Sequence, residues 1–136
     1  LDLMNAALEL AIRDWLLADP DLADIVILTG QSAEIIPGDQ PVVFVSCENT
    51  DTLALKHYKV RAQLSVSTPS IMENGLDAHQ AISASVKSSL FFMSGLVPFF
   101  PPSLILAGAD LNSFSDSIGS ERWTTTADLS LAVIEI

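Results

Sequence analysis

The sequence predicts an α+β fold, in which a mixed, mainly antiparallel β-sheet of about four strands is flanked by two α-helices and ends in an extended C-terminal β-arm or hairpin. Residues 58–67 alternate apolar and polar side chains without a break, which is typical of a strand with one buried and one solvated face. Residues 122–136 alternate in the same way. Residues 1–18 and 76–93 instead repeat apolar side chains at three- and four-residue steps, which indicates amphipathic helices.

Length and composition predict one domain, residues 1–136, that belongs to an assembly. Hydrophobic residues make up 49% of the chain, and 17 acidic against 6 basic residues give a net charge of −11. A negative field discourages loose binding to nucleic acid, because phosphate affinity comes from Lys and Arg. Few charges combined with a strong apolar bias favour an oligomer or a fixed partner.

Compartment and membrane signals are few. The only cysteine, Cys47, can form no internal disulfide and is interpreted as a small apolar residue at a strand end. We find no secretory signal pattern and no uninterrupted run of the roughly 20 apolar residues that a bilayer span needs. We therefore expect a reducing compartment and no membrane association.

The first half of the chain is predicted to contain one helix and two strands. The helix over residues 1–18 stops at Asp19-Pro20, because a residue before proline avoids the helical region. We expect a short helical turn and an apolar segment at 21–29, and turns at 30–40. A strand at 41–47 is apolar enough to be covered on both faces, and a polar connection at 48–55 leads to the antiparallel strand 58–67.

The second half follows a break at 68–75. After the helix at 76–93, the prolines of residues 95–103 are predicted to exclude both helix and central strand. Phe99 and Phe100 in that segment either fold back onto the core or insert into a partner. A third strand at 104–111 and a polar loop at 112–121 complete this half.

The last strand is too long for the globule that carries it. Fourteen residues from Trp123 extend about 46 Å, whereas a domain of this size is about 37 Å across. The strand is therefore expected to bend at a bulge or to reach beyond its own domain.

Motifs that carry chemistry are missing from the sequence. His57 and His79 show no metal-ligand spacing, and the aspartates of D-P-D-L-A-D at 19–24 lack the glycine and the distal glutamate of a calcium loop. No nucleophile elbow or glycine-rich phosphate loop occurs. We expect no enzyme activity, no catalytic residue, no metal and no cofactor.

The order of elements resembles the tail terminator (tail completion) proteins of long-tailed bacteriophages, within the wider group of small α+β neck and tail-joining proteins. The resemblance covers nearly the whole chain. It lies in the helix at 5–17, in P-V-V-F-V at 41–45, in Y-K-V-R-A-Q-L-S-V at 58–66, and in the strand 122–136 preceded by S-E-R-W-T-T. The proline-rich segment at 95–103 has no counterpart that we can match to the family.

The resemblance implies a homo-oligomeric ring, usually a hexamer, that caps the tail tube and offers a surface to the head connector. It implies a virion protein of the tail or neck that is assembled in the host cytoplasm, with genomic DNA passing through unbound. We expect Phe99, Phe100, Arg122 and Trp123 to be subunit contacts. The alternatives are a head-completion or neck (stopper) protein and, from another class, a small α+β ligand-binding domain or enzyme.

Overall fold

The computed structural model describes residues 2–30, 40–69, 75–118 and 122–136. In chain order its elements are α1 (Asp2–Leu17), β1 (Val26–Thr29), β2 (Val42–Ala54), β3 (His57–Pro69), α2 (Gly75–Leu90), a 3₁₀ helix (Met93–Phe99), β4 (Leu104–Ile118) and β5 (Arg122–Glu135). The described strands form one five-stranded sheet in the order β1-β2-β3-β5-β4.

The predicted α+β class, with two α-helices and a mainly antiparallel mixed sheet, is confirmed. The described residues form five strands rather than about four, because Val26–Thr29 pairs parallel to the start of β2. The expected helical turn is confined to the residues before this strand, where turns occupy 18–24. The apolar run that follows it pairs as a strand because β2 offers it an open edge.

The β2–β3 hairpin is longer than expected, and the polar connection predicted at 48–55 is wrong. β2 continues to Ala54, so that only Leu55 and Lys56 remain between the strands. Lys56, the second of these two residues, adopts the left-handed backbone conformation (φ 62°) found at the second central position of some tight turns. Polar residues extend the strand because the antiparallel ladder is made by backbone groups and does not need apolar side chains.

The β4–β5 hairpin corrects two further expectations. The polar loop predicted at 112–121 is strand as far as Ile118, with register irregularities between Leu106 and Gly108 and between Leu111 and Ser113. β5 is paired with β3 on one side and with β4 on the other along nearly its whole length. The long last strand is therefore half of a hairpin within its own sheet. It is not a free arm that reaches beyond the domain.

One face of the sheet, here called the inner face, carries the core. α1 packs mainly on β2 and α2 mainly on β3. The alternation predicted for 58–67 is confirmed from Val60 to Val66, where every second residue is buried, and β5 alternates in step with it; Ser67, which is predicted to lie on the solvated face, is buried as well. The buried apolar residues of these two strands are Val60, Ala62, Leu64, Val66, Ala127, Leu129, Leu131 and Val133.

The opposite face, here called the outer face, is polar. Arg61 on β3 pairs with Asp128 on β5 (3.0 Å) and, more loosely, with Glu48 on β2 (3.8 Å). The hydroxyl groups of Ser65 and Thr126 lie 3.3 Å apart on the same face. The strand predicted at 41–47 is covered on both faces only where it begins, since Val42 and Val43 are both fully buried while Ser46 is exposed.

The prolines of residues 95–103 do not exclude helix. Met93–Phe99 forms a 3₁₀ helix with Pro98 inside it, and α2 ends at Leu90 instead of Met93. A proline near the end of such a short helix costs little, because its missing N–H lies where few intrahelical bonds remain to be made. Most of the turns predicted at 30–40 and of the break at 68–75 lies outside the described residues.

A buried glutamate completes the edge of the sheet where β1 ends. The carboxylate of Glu9 on α1, 6% exposed, accepts the backbone N–H of Gly30 (3.0 Å) and of Cys47 on β2 (3.1 Å). It thus replaces the strand partner that β1 no longer supplies at Cys47. Burial, and secondarily the charge of Glu9, raises the pKa of the Cys47 thiol to about 12, which keeps the thiol protonated.

Replacing Glu9 by Ala is expected to lower the free energy of unfolding by about 1–3 kcal/mol, because it removes the acceptor of two part-buried backbone N–H groups. Urea unfolding of the purified protein measures the loss. Glu48→Ala, which removes only a long, exposed ion pair, is the matched control and should cost less than about 1 kcal/mol. Equal losses in the two variants would contradict the role assigned to Glu9.

Candidate functional site

The four expected contact residues lie at two opposite ends of the β4–β5 hairpin. Phe99 ends the 3₁₀ helix and is 37% exposed, whereas Phe100 is half-buried and packs against the core. Phe100 therefore folds back onto the core, while a contact of Phe99 with a partner stays a prediction. They precede Leu104, which pairs with Glu135 at the far end of the hairpin from Arg122 and Trp123.

Arg122 and Trp123 begin β5 and face opposite sides of the sheet. The Arg122 guanidinium donates from Nε to the Ser67 hydroxyl (2.6 Å) and from Nη2 to the Ser67 carbonyl (3.3 Å), so it is engaged within its own chain on the outer face. Trp123 is half-buried on the inner face, with its ring 6.4 Å from that of His79. The structure does not bring these two residues together with Phe99 and Phe100.

Large apolar side chains are exposed at the end of the sheet that carries the β2–β3 turn. Two backbone hydrogen bonds join the parts of this end: Glu135 N–H to the Lys56 carbonyl (2.8 Å), and Ile136 N–H to the Ser103 carbonyl (2.9 Å). We call this surface the apolar end. Its exposed residues are Leu53, Leu55, Phe99, Ile105 and Ile136.

A cavity of about 240 Å³ opens at the other end, between α2 and the β4–β5 hairpin. It exists because the two helices cover β2 and β3, and neither packs mainly on β4. Its walls are largely apolar, and the Lys87 ammonium lies 5.2 Å from the centre of the Phe114 ring. The residues that concern its chemistry are Leu76, His79, Ser83, Lys87, Phe114, Asp116, Trp123 and Thr125.

A chain of hydrogen bonds runs beneath this cavity through four elements. His79 on α2 contacts the Thr68 hydroxyl of β3 with Nδ1 (2.9 Å) and the Thr125 hydroxyl of β5 with Nε2 (2.9 Å). The Thr125 hydroxyl donates to Oδ1 of Asp116 on β4 (2.5 Å). Because the Thr125 hydroxyl donates its hydrogen to Asp116, its oxygen accepts from Nε2–H of His79. The Thr68 hydroxyl then donates to Nδ1 of His79.

This arrangement fixes neutral His79 as the Nε2–H tautomer. Burial lowers the pKa of His79 below 6.5, and the nearby charge of Asp116 opposes that shift without cancelling it. The imidazole thus links α2 to β3 and to β5 through hydrogen bonds at both of its ring nitrogens. Ser83, on the next turn of α2, has a buried hydroxyl without a hydrogen-bond partner.

Sequence reasoning did not find this network. His79, Thr125 and Asp116 are separated along the chain and show no motif spacing, and Asp116 falls in the segment predicted to be a loop, which the structure shows as strand. Within the described ranges, no three His, Cys, Asp or Glu side chains are grouped as a metal site would need. No single described helix is long and apolar enough to cross a membrane; α2 and the 3₁₀ helix together reach that length and composition, but with an 80° bend between them.

Comparisons with known proteins bear on the fold alone. No family model matches the chain, and no curated protein matches it. A solved structure, whose name states no activity, aligns over 96% of this chain and 92% of its own with a TM-score of 0.51 and 16% identity. The chain therefore shares its fold with a natural protein of nearly the same extent.

The stability of the fold is expected to fall on acidification because of His79. A pKa below 6.5 in the folded state means that the unfolded state binds more protons in this range. The contribution of neutral His79 to the free energy of unfolding is thus fully present above about pH 6.5. It is lost as the pH falls through the pKa that His79 has in the folded state. Thermal melts between about pH 5 and 7.5 should show the midpoint rising with pH, and rising less in His79→Gln. Identical slopes in both proteins would contradict the assignment.

Proposed function

We propose that this protein is a structural subunit of a bacteriophage virion, a tail terminator that forms a ring, caps the tail tube and joins it to the head connector. The layout resemblance described above supports the proposal, since the helix, the two hairpins and the second helix occur in the expected order. The observation that carries it is that two described strands with open backbone edges, β4 and the part of β2 that β1 does not cover, run in opposite directions.

The two edges belong to β4 and β2. No described strand pairs with the outer side of β4, and β1 covers β2 only from Val42 to Val45. Because β3 and β5 lie between them in an antiparallel sheet, β2 and β4 also run antiparallel to each other. The β4 edge of one copy can therefore add to the β2 edge of the next beyond Cys47, whose N–H is already bonded to Glu9.

Such a contact joins two different surfaces, so it repeats head to tail and closes into a ring when the rotation permits. Pairing between subunits by this route uses the edges of the sheet, whereas β5 stays inside its own sheet. The irregularities near Gly108 and Ser113 interrupt the β4 edge, which limits uncontrolled pairing in the free subunit.

The apolar end supports a second contact, to the tail tube. Leu55, at the tip of the β2–β3 turn, is 88% exposed, and Ile136 is 70% exposed. Contiguous exposed apolar surface on a protein with few charges marks an interaction site. The outer face suits passage of DNA, because its Arg61 is paired with Asp128 and Glu48 and its other residues include short hydroxyl side chains.

One observation favours the alternative of a small ligand-binding domain: the cavity beside α2, with His79 and Asp116 beneath it. A head-completion or neck protein would share the ring geometry and differ only in its partner. The alternatives are therefore separated by the oligomeric state and by the partner that binds.

The deciding experiment is mass measurement in solution and negative-stain imaging of the full chain, followed by capture assays with purified tail-tube protein and with portal protein. A closed ring that captures tail tube supports the terminator. A ring that captures only portal would assign the neck alternative, and a monomer that binds neither would refute the structural proposal.

Replacing Leu55 by Ser is expected to weaken capture of the tail tube at least 10-fold, because it removes the most exposed apolar side chain of the apolar end. The fold should be unaffected, since Leu55 lies in a two-residue turn. Leu10→Ser on α1, which removes another exposed leucine away from this end (40% exposed), is the control and should capture normally. Equal capture by wild type and Leu55→Ser would contradict the placement of the contact.

A further inference from the structure

The cavity beside α2 has the size and walls to hold one aromatic side chain. Its volume is about 240 Å³, and Trp123, Phe114 and Leu76 line it. An apolar cavity of about 150 Å³ is enough to bind benzene in a protein interior. The cavity therefore has room for one phenyl ring together with part of its backbone attachment.

The same molecule exposes a phenyl ring on the same side of α2. Phe91, directly after the last helical residue, is 68% exposed. It continues the line of exposed residues at Leu76, Gln80, Ala84 and Lys87, which recur at three- and four-residue steps and so share one helix face. The cavity opens beside this face from Leu76 to Lys87, and Phe91 lies beyond its C-terminal end.

A two-fold axis matches the two features. If α2 of one copy packs antiparallel to α2 of another, with the axis between Ser83 and Ala84, Phe91 of each copy lies opposite Leu76 of the other. Phe91 and Leu76 lie on opposite sides of this axis at equal distances, about 11 Å each along the helix at roughly 1.5 Å per residue. Each phenylalanine then enters the other copy's cavity, and both contacts form at once.

Charge complementarity selects a second copy as the occupant. α2 carries Asp77 in its first turn and Lys87 in its last turn. Antiparallel packing places Lys87 opposite Gln80, which is one turn from Asp77, so each end of the pair joins a cation to a carboxylate.

We propose that the exposed face of α2 is a two-fold contact between copies of this chain, in which Phe91 of each copy occupies the cavity lined by Trp123 and Phe114 of the other. The contact is separate from the sheet edges and goes beyond the proposed ring. In a protein that forms rings it joins two rings face to face, and in a variant that forms none it gives a dimer.

Sedimentation of the full chain over a range of concentrations tests the contact, with Phe91→Ser as the variant. Phe92→Ser is its matched control, because it makes the same change one residue away at an equally exposed side chain (74%) beside Trp15. Phe91→Ser should weaken two-fold association at least 10-fold, and Phe92→Ser less than 3-fold. Equal effects of the two variants, or no two-fold association of wild type, overturn the proposal.

A charge exchange and a cross-link make the test independent of folding defects. Asp77→Lys and Lys87→Asp should each weaken the association, and the double variant should restore it. Ala84→Cys, beside the axis, should give cross-linked pairs with a bifunctional maleimide of about 8 Å, the separation of packed helices, whereas Ser115→Cys on the outer face should not. No restoration, or equal cross-linking at both sites, counts against the two-fold contact.

The results separate this inference from the proposed function. Rings that persist in Phe91→Ser but no longer pair support both proposals. Rings that never pair overturn the two-fold contact and leave the terminator standing. Dimers abolished by Phe91→Ser, without any ring, support the contact and refute the terminator. A monomer whose melting temperature rises with benzoate or phenol, and not in Trp123→Ala, would assign the cavity to a small ligand and overturn the contact.

Discussion

The pairing of β5 on both of its sides is the constraint on which the rest of the structure depends. A strand of 14 residues is held between β3 and β4 from Arg122 to Glu135. Because both sets of its backbone groups are used inside the chain, β5 cannot serve as an arm. Its alternation also sets the two faces: Leu129 and Leu131 point into the core, while Asp128 joins the outer face beside Arg61.

The surfaces of interest follow from what this sheet leaves uncovered. The two described α-helices lie mainly on β2 and β3. The β4 side therefore keeps a cavity, and His79 closes its base by tying α2 to Thr68 and Thr125. At the other end, the reversal at Lys56 and the last residues of β5 leave the apolar side chains of Leu55 and Ile136 exposed.

The alternating and periodic segments could be predicted from the sequence, because their side chains report burial directly. α1, β3, β5 and most of α2 were found in this way. The second halves of β2 and β4 could not, since residues 48–54 and 112–118 are mostly polar and lack the regular apolar alternation that reports burial. Neither could the position of Glu9 or the link from His79 to Asp116, which depend on tertiary neighbours far apart in the chain.

Amide hydrogen exchange of the isolated subunit, kept dilute enough to prevent assembly, tests the central role of β5 most directly. The account predicts slow exchange along β5 from Trp123 to Val133, comparable to that of β3 at Leu64, because both strands are paired on two sides. It predicts faster exchange for the amides of β4 that point away from β5, toward the open edge of the sheet. Rapid exchange over Leu131–Glu135 that slows only when copies assemble would contradict it, since those residues would then be an arm completed by a neighbour.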